Sequence, residues 1–359
     1  MDLIFETMPG LEDVAAAEVE DLIGALPRRI APGRLAVTVP AAAPVLDALR
    51  AGVRCSDRVG ILLADTTARS LDEAKQVAAA VRIERFLNLD QTFGVRYTRQ
   101  GRHDFNRQDL GSAVGAGIIA RFREREDARP AVDLDQPDVI VRADLFDDQL
   151  LLWIDTVGDR DLSWREYRGY AHMASMRPMF ANLLLRLAGW TVDADLGAFQ
   201  LVDPFCGSAT ILIEASLIAQ RADPERVGAV HGVERFPGHV LGATGNIKAA
   251  GLTEHVVIHA GLAEETDLLL PRRREDDVRQ RLVVTNPPFG RRVANPRQVD
   301  AIYRAVTLSW ARADVRRVVT LAERAASMAD SLTAAGYTIE RRSRAVYGAT
   351  PVTVFVAVS

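Results

Sequence analysis

Asn286-Pro287-Pro288-Phe289 sets an amide, two adjacent prolines and an aromatic ring at the end of an apolar run, Leu282-Val283-Val284-Thr285. The run reads as a buried parallel strand. Two prolines in succession cannot lie inside a central strand, so they mark the loop at its carboxyl end. In open α/β sheets that end binds ligands. These residue types suit the capture of a flat group that carries an amine. The Asn286 side-chain oxygen and the Pro287 carbonyl can accept two N–H bonds, Pro288 stiffens the turn, and the Phe289 ring can stack on the flat face.

A second candidate loop lies upstream. Asp203-Pro204-Phe205-Cys206-Gly207-Ser208-Ala209-Thr210 follows Phe199-Gln200-Leu201-Val202 and precedes an apolar, alanine-rich helical pattern over 211–219. This is strand, tight turn, helix. Gly207 permits a turn that a Cβ would crowd. The helix start offers unpaired N–H groups and a positive dipole end to an anionic or polar ligand. Cys206 has no neighbouring base to make it a nucleophile and reads as a packing residue. His231-Gly232-Val233-Glu234 ends the next strand. Glu234 then stands where nucleotide-binding α/β folds put an acid that accepts hydrogen bonds from ribose hydroxyls. His255 and His259 are four apart but flank a predicted strand without the glutamate of a zinc-protease helix, so no metal is expected.

These loops need a sheet to hold them. Strand patterns occur at 200–205, 229–234, 256–260, 281–285, 317–321, 338–346 and 352–358, with helical patterns between the first six. Repeated βα units imply a parallel, doubly wound α/β sheet. The last two strands face each other across Tyr347-Gly348-Ala349-Thr350-Pro351, which reads as a hairpin turn.

Strand-ending N-P-P-F resembles motif IV of the amino methyltransferases. Asp203 to Thr210 resembles D-P-F-C-G-S-G-T, motif I of class I methyltransferases that use S-adenosyl-L-methionine, with Ala209 where the family has glycine. The resemblance implies that cofactor, with Asp203, Pro204, Phe205, Cys206, Gly207, Ser208, Thr210 and Glu234 around it. It also implies Leu262 and Ala263 near the adenine, with Leu262 in place of the family's acid. The helix carrying Asn246 is similar to the family's asparagine-containing helix before the third strand, and the final hairpin matches its seven-stranded Rossmann-like sheet. Asn286, Pro287, Pro288 and Phe289 become the catalytic residues.

The first half carries another likeness. An alternating strand, Thr92 to Arg99, leads through Arg102-His103-Asp104-Phe105 to a Gly/Ala-rich helical pattern over 110–123. Val132-Asp133-Leu134-Asp135-Gln136-Pro137-Asp138 and two strands follow. This resembles the THUMP domain of RNA-modifying enzymes. Pro9-Gly10-Leu11-Glu12 resembles the start of the ferredoxin-like domain that accompanies THUMP, and Tyr167-Arg168-Gly169-Tyr170 with Arg177-Pro178 resembles the family's linker. The expected order is an α+β region, ferredoxin-like over 1–69 and THUMP over 70–160, a linker at 161–180 and the methyltransferase fold over 181–359. It is that of the THUMP-containing guanine-N2 methyltransferases, above all the tRNA enzymes. The resemblance implies methylation of a guanosine N2 amine in RNA, with tRNA the expected class. Arg96, Arg99, Arg102 and Arg107 are candidate phosphate contacts, as are Arg291 and Arg292 beside the target base.

Composition sets bounds but does not choose among these readings. With 48% hydrophobic and 26% charged residues, the chain has the composition of a water-soluble globular protein. The formal charge of −4 gives no global argument for nucleic acid. Only Lys75 and Lys248 are lysines, so abundant arginine is a codon-usage trait here and does not by itself mark phosphate binding. Cys55 and Cys206 form no metal pattern and read as reduced thiols in a cytoplasmic protein. No apolar run reaches 18 residues and the first residues lack the basic start of a signal peptide, so no membrane partner is expected. A monomer is the expected state. Two other readings stand beside the first. One is an RNA-binding protein whose cofactor site is degenerate, on the strength of Ala209 and Leu262. The other is an amino methyltransferase acting on adenine N6 or a protein glutamine, since the same loop serves those amines.

Overall fold

A computed structural model describes residues 1–40, 43–223, 230–272, 279–289, 296–348 and 350–359. The chain forms two compact units, one of Met1–Thr7 with Ala15–Leu162 and one of Met8–Val14 with Ser163–Ser359.

The first unit is built on one eight-stranded sheet. Its strands are β1 (Asp2–Glu6), β2 (Arg28–Ala31), β3 (Arg34–Thr38), β4 (Arg58–Thr67), β5 (Thr92–Gln100), β6 (Ala131–Val132), β7 (Val139–Phe146) and β8 (Gln149–Asp155). They lie in the order β2-β3-β1-β4-β8-β7-β5-β6. The intervening helices are α1 (Glu12–Ile23), α2 (Ala43–Gly52), α3 (Leu71–Ala80) and α4 (Arg107–Glu126). Strand β4 is the seam: residues 58–61 pair with β1 and residues 60–67 with β8, past a register shift between Leu62 and Ala64. Gly60 makes the seam possible, because a Cβ there would meet the Trp153 ring at 2.4 Å. In α4, Gly117 lets α3 approach, since a Cβ would lie 2.3 Å from the Lys75 carbonyl. The gly/ala-rich helix of the sequence is thus a close-packing device.

The second unit has a seven-stranded sheet of β9 (Phe199–Asp203), β10 (Val230–Glu234), β11 (Val256–Ala260), β12 (Gln280–Thr285), β13 (Val315–Ala322), β14 (Thr338–Tyr347) and β15 (Thr350–Val358). The order is β11-β10-β9-β12-β13-β15-β14. The first five strands are parallel and β15 is antiparallel to both its neighbours. Around it lie α5 (Pro178–Leu187), α6 (Thr210–Ala222), α7 (Pro237–Ala249), α8 (Thr266–Leu269), α9 (Pro296–Arg312) and α10 (Ala325–Ala334). This is the doubly wound architecture expected from the βα repeat. The chain winds outward from β9 through β10 to β11, then returns to β12 on the other side of β9. That reversal opens a crevice at the carboxyl ends of β9 and β12. Val202 and Val283 from these strands anchor a core with Tyr303 and Trp310 of α9 and Phe355 of β15.

Candidate active site

Asp203 ends β9 and Thr285 ends β12, side by side at the reversal. The Thr285 hydroxyl donates to Asp203 Oδ1 at 2.6 Å, and the Phe205 N–H donates to the same oxygen at 3.1 Å. One buried carboxylate therefore ties the start of the 203–210 loop to the residue before Asn286. Burial pushes the Asp203 carboxyl up to about 7, against the opposing pull of those two hydrogen bonds.

The 286–289 loop is held from three directions. Pro287 is buried, the Tyr303 hydroxyl on α9 donates to the Pro288 carbonyl at 3.1 Å, and Phe289 meets the Tyr347 ring edge-on, centroids 6.4 Å apart at 83°. Tyr347 is itself fixed: its hydroxyl donates to the Ser175 carbonyl at 3.0 Å, and its ring packs on Phe180 at 5.2 Å. Within this braced loop the Asn286 Oδ1 atom is buried and has no hydrogen-bond partner among the described residues. An unpaired buried acceptor is costly, and an incoming N–H would satisfy it.

The 203–210 loop is bound to its neighbouring strand. The Cys206 N–H donates to the Val233 carbonyl at 3.1 Å, and the Gly207 N–H to Glu234 Oε2 at 3.2 Å. The Ala209 N–H closes a turn on the Cys206 carbonyl at 2.7 Å. Gly207 has φ of +52° and Ala209, at the mouth of α6, has φ of +64°. The position where the family has glycine does require the left-handed region, and alanine adopts it at a cost of roughly 1–2 kcal/mol. Pro204, Ser208 and Thr210 are buried, with the two hydroxyls 3.2 Å apart, and Phe205 is half-buried. The buried Cys206 thiol is pushed well up by burial, which makes it a packing group rather than a nucleophile.

Glu234 ends β10 with its second oxygen accepting from the Phe236 N–H at 2.8 Å. Leu262 follows β11 with its side chain 41% exposed, and Ala263 is buried at the start of a short 3-10 turn. His259 bonds to His231 at 3.1 Å, and His231 in turn meets the Gln200 amide at 2.9 Å. Among the described residues no three His, Cys, Asp or Glu side chains gather as metal ligands.

The segment at 161–180 does more than join. From Ser163 it is docked on the second unit. Arg165 forks onto Glu214 of α6 at 2.8 and 3.1 Å, and the Tyr167 hydroxyl and Asn182 amide donate to the same carboxylate at 2.8 and 2.7 Å. Burial raises the Glu214 carboxyl, but Arg165 and these donors outweigh it and leave it below the ordinary carboxylate value. Asn246 of α7 clasps the backbone of Tyr170 at both ends. It donates to its carbonyl and accepts from its N–H, each at 2.9 Å, and also donates to the Ser208 carbonyl at 3.0 Å. Tyr170 lies on Gly242, where a Cβ would stand 2.3 Å from the ring. The available signal was composition: W-R-E-Y-R-G-Y carries the aromatic and charged groups of a docked segment.

Two of the four candidate arginines of the first unit already have hydrogen-bond partners. Strand β5 pairs with β7 without a register break, so Arg96 and Arg99, three apart, point to opposite faces. Arg96 donates to the Asp135 carbonyl at 3.3 Å, and Arg99 donates to His103 Nδ1 at 3.0 Å while His103 Nε2 reaches the Asp147 carbonyl at 2.7 Å. Each is thus engaged within the first unit, Arg96 with the 133–138 loop and Arg99 with His103. Arg102 and Arg107 are exposed. Arg291 and Arg292 lie outside the described residues.

Sheet order, crevice and loops define a Rossmann-like methyltransferase domain. Residues 165–349 match the family described as RMKL-like, methyltransferase domain, and residues 68–155 match the THUMP domain. The chain belongs to the THUMP-containing, RMKL-like methyltransferase family. It is 32% identical over 328 residues to a protein of Archaeoglobus fulgidus named tRNA (guanine(6)-N2)-methyltransferase, covering 86% of this chain and 78% of the relative. A protein of Methanocaldococcus jannaschii with the same name is 27% identical over 342 residues, covering 84% and 85%. The crystal structure of TrmN from Thermus thermophilus shares the fold, with a TM-score of 0.74 at 24% identity over 100% of this chain and 99% of that one. The cofactor of this methyltransferase is S-adenosyl-L-methionine. The residues present fit it: a left-handed glycine turn, a helix start and a buried strand-end carboxylate converge at the crevice.

Proposed function

We propose that this protein methylates the exocyclic N2 amine of a guanosine in tRNA. The observation that carries the proposal is the open, buried Asn286 Oδ1 within a loop braced by Tyr303 and Tyr347. S-adenosyl-L-methionine supplies an electrophilic methyl group. What remains for the chain is positioning, which contributes most to an in-line displacement. Asn286 Oδ1 and the Pro287 carbonyl accept the two amine hydrogens and draw lone-pair density back onto nitrogen. Phe289 stacks on the purine once it has left its own stack. Asp203, through Thr285, keeps the amine loop and the cofactor loop in register. No protein base is needed before transfer.

In this reading residues 70–160 recognise RNA and residues 181–359 carry the chemistry in a cytoplasmic enzyme. Exposed Arg102 and Arg107 are the phosphate contacts retained on the first unit, with Arg291 and Arg292 as candidates near the base. Ala209 adopts the left-handed conformation that the turn needs, which favours a working cofactor loop over a degenerate one. No helix of the described residues is long and apolar enough to cross a membrane. The relatives' printed name makes nucleotide 6 the first position to map. Transcribed tRNA incubated with the protein and methyl-labelled cofactor is expected to yield labelled N2-methylguanosine, located by nuclease mapping. Label in N6-methyladenosine, or none in RNA, would overturn the proposal.

A further inference from the structure

His172 sits above the cofactor loop in an unusual state. Its backbone is fixed by a local turn: its N–H donates to Ser175 Oγ at 2.8 Å, and its carbonyl accepts from the Ser175 N–H at 2.9 Å. Its ring is stacked flat on His239, centroids 4.5 Å apart at 4°. His239 Nδ1 lies 3.6 Å from Glu234 Oε1. The ring is therefore held in place from two sides before any ligand arrives.

The tautomer follows from the bonding. The Ala174 N–H donates to His172 Nδ1 at 3.2 Å, so Nδ1 is an acceptor. Burial, with the neighbouring His239, lowers the affinity of the ring for a second proton, so the imidazole is neutral at pH 7. A neutral ring with Nδ1 accepting carries its proton on Nε2. His172 Nε2 is then a donor, and it is buried with no partner among the described residues. It stands directly over Gly207: a Cβ built there would meet Nε2 at 2.7 Å. A buried donor without an acceptor is costly, and here it faces the loop assigned to the cofactor.

What it would bind follows from charge. The Glu234 carboxylate beside the loop is an acceptor suited to hydroxyls, and Asp203 is a carboxyl suited to a cation. Neither can accept an anion. His172 Nε2–H is an unpartnered donor over this loop, beside the Ser208 and Thr210 hydroxyls and the start of α6. The one anionic group of S-adenosyl-L-methionine is its α-carboxylate. We propose that His172 completes the cofactor site by donating its Nε2–H to that carboxylate. The segment before α5 is thereby part of the cofactor pocket. The proposal rests on the reading of the 203–210 loop as the cofactor loop.

The full chain is titrated by calorimetry with S-adenosylhomocysteine, which keeps the carboxylate, and with 5′-methylthioadenosine, which lacks the amino-acid part. His172→Phe retains a ring to stack on His239 and loses the donor. Loss of a hydrogen bond to a charged group is expected to weaken S-adenosylhomocysteine binding by roughly ten- to a hundredfold, with 5′-methylthioadenosine unchanged. Unchanged binding of both ligands, or an equal loss of both, overturns the assignment. Failure of the unaltered protein to bind S-adenosylhomocysteine overturns the cofactor-loop reading instead. A variant that does not fold is replaced by nitrogen-15 NMR of the wild-type ring. The Nε2 proton is expected to be protected from exchange by S-adenosylhomocysteine and not by 5′-methylthioadenosine. Equal protection by both overturns the proposal.

Discussion

Asn286 presents an acceptor with no partner among the described residues, while the loop around it is tied down by Tyr303 and the Phe289–Tyr347 pair. Its removal tests chemistry separately from folding. Asn286→Ala is expected to lower kcat by roughly a hundred- to a thousandfold, the range for losing one preorganised hydrogen-bonding group at a reacting centre. S-adenosylhomocysteine binding and tRNA retention on filters are expected to stay near wild type. A near-normal methylation rate would remove Asn286 from the reaction. Asp203 gives a pH prediction. Burial raises its folded pKa to about 7, from an ordinary aspartate value of 3.8. Between those values the folded chain holds a proton that the unfolded chain has lost, so this group lowers stability progressively as pH rises from about 4 to 7. Asp203→Asn keeps an acceptor for Thr285 and Phe205 and has no proton to lose. Urea unfolding across that range is expected to show the variant gaining on wild type with rising pH; parallel curves would refute it. Both residues stand out in the sequence because each lies where an apolar strand pattern gives way to a short motif. Tyr303, Tyr347 and His172, which brace or face them, do not, because nothing in their own neighbourhoods marks them. Ala209 was legible as a departure, but whether its position needed positive φ or only a small side chain took the backbone angle of +64° to decide.

At the scale of elements, the strands of the second unit could be read from apolar runs, and their parallel winding from the βα repeat. A strand buried on both faces has to be apolar throughout, and that pattern is local. The docking of residues 163–177 was not legible, because its partners are distant in the chain. Arg165 meets Glu214 at a separation of 49 residues, and Tyr170 meets Asn246 at 76. Asn246 is the lock between that segment and the 203–210 loop. Asn246→Ala leaves the Tyr170 N–H and the Ser208 carbonyl without their partner, for a loss of about 1–3 kcal/mol per buried group left unsatisfied. Hydrogen exchange is expected to accelerate at the Tyr170 amide and at the Cys206–Ala209 turn, with slower exchange preserved in β12. Uniform acceleration across the whole unit would show that Asn246 supports global stability alone.

The first unit sets a limit on what a sequence can say about boundaries. A division at residue 69 follows the change of motif, yet the sheet runs through it on β4. The seam carries a buried charge network. Arg34 donates to Asp144 at 2.8 Å and pairs with Glu6 at 3.3 Å; Arg142 bridges Glu6 and Asp155, each at 3.0 Å; and Arg58 reaches Asp155 at 2.6 Å. Three cations and three carboxylates balance across β1, β3, β4, β7 and β8. The side chain of Asp155 is fully buried, and removing one partner from such a set strands the others at a cost of about 3–5 kcal/mol. A chain of residues 70–160 lacks β4. It therefore exposes the edge of β8 from Gln149 to Asp155 and takes Arg58, Arg34 and Glu6 from the network. Residues 1–162 are expected to melt in one cooperative transition by circular dichroism, and residues 70–160 alone to show none. The RNA-recognising part would then be a half-sheet that depends on the strands before it, although its motifs are all its own. A cooperative transition for 70–160 would instead make β4 a dispensable edge, and the motif boundary a folding boundary as well.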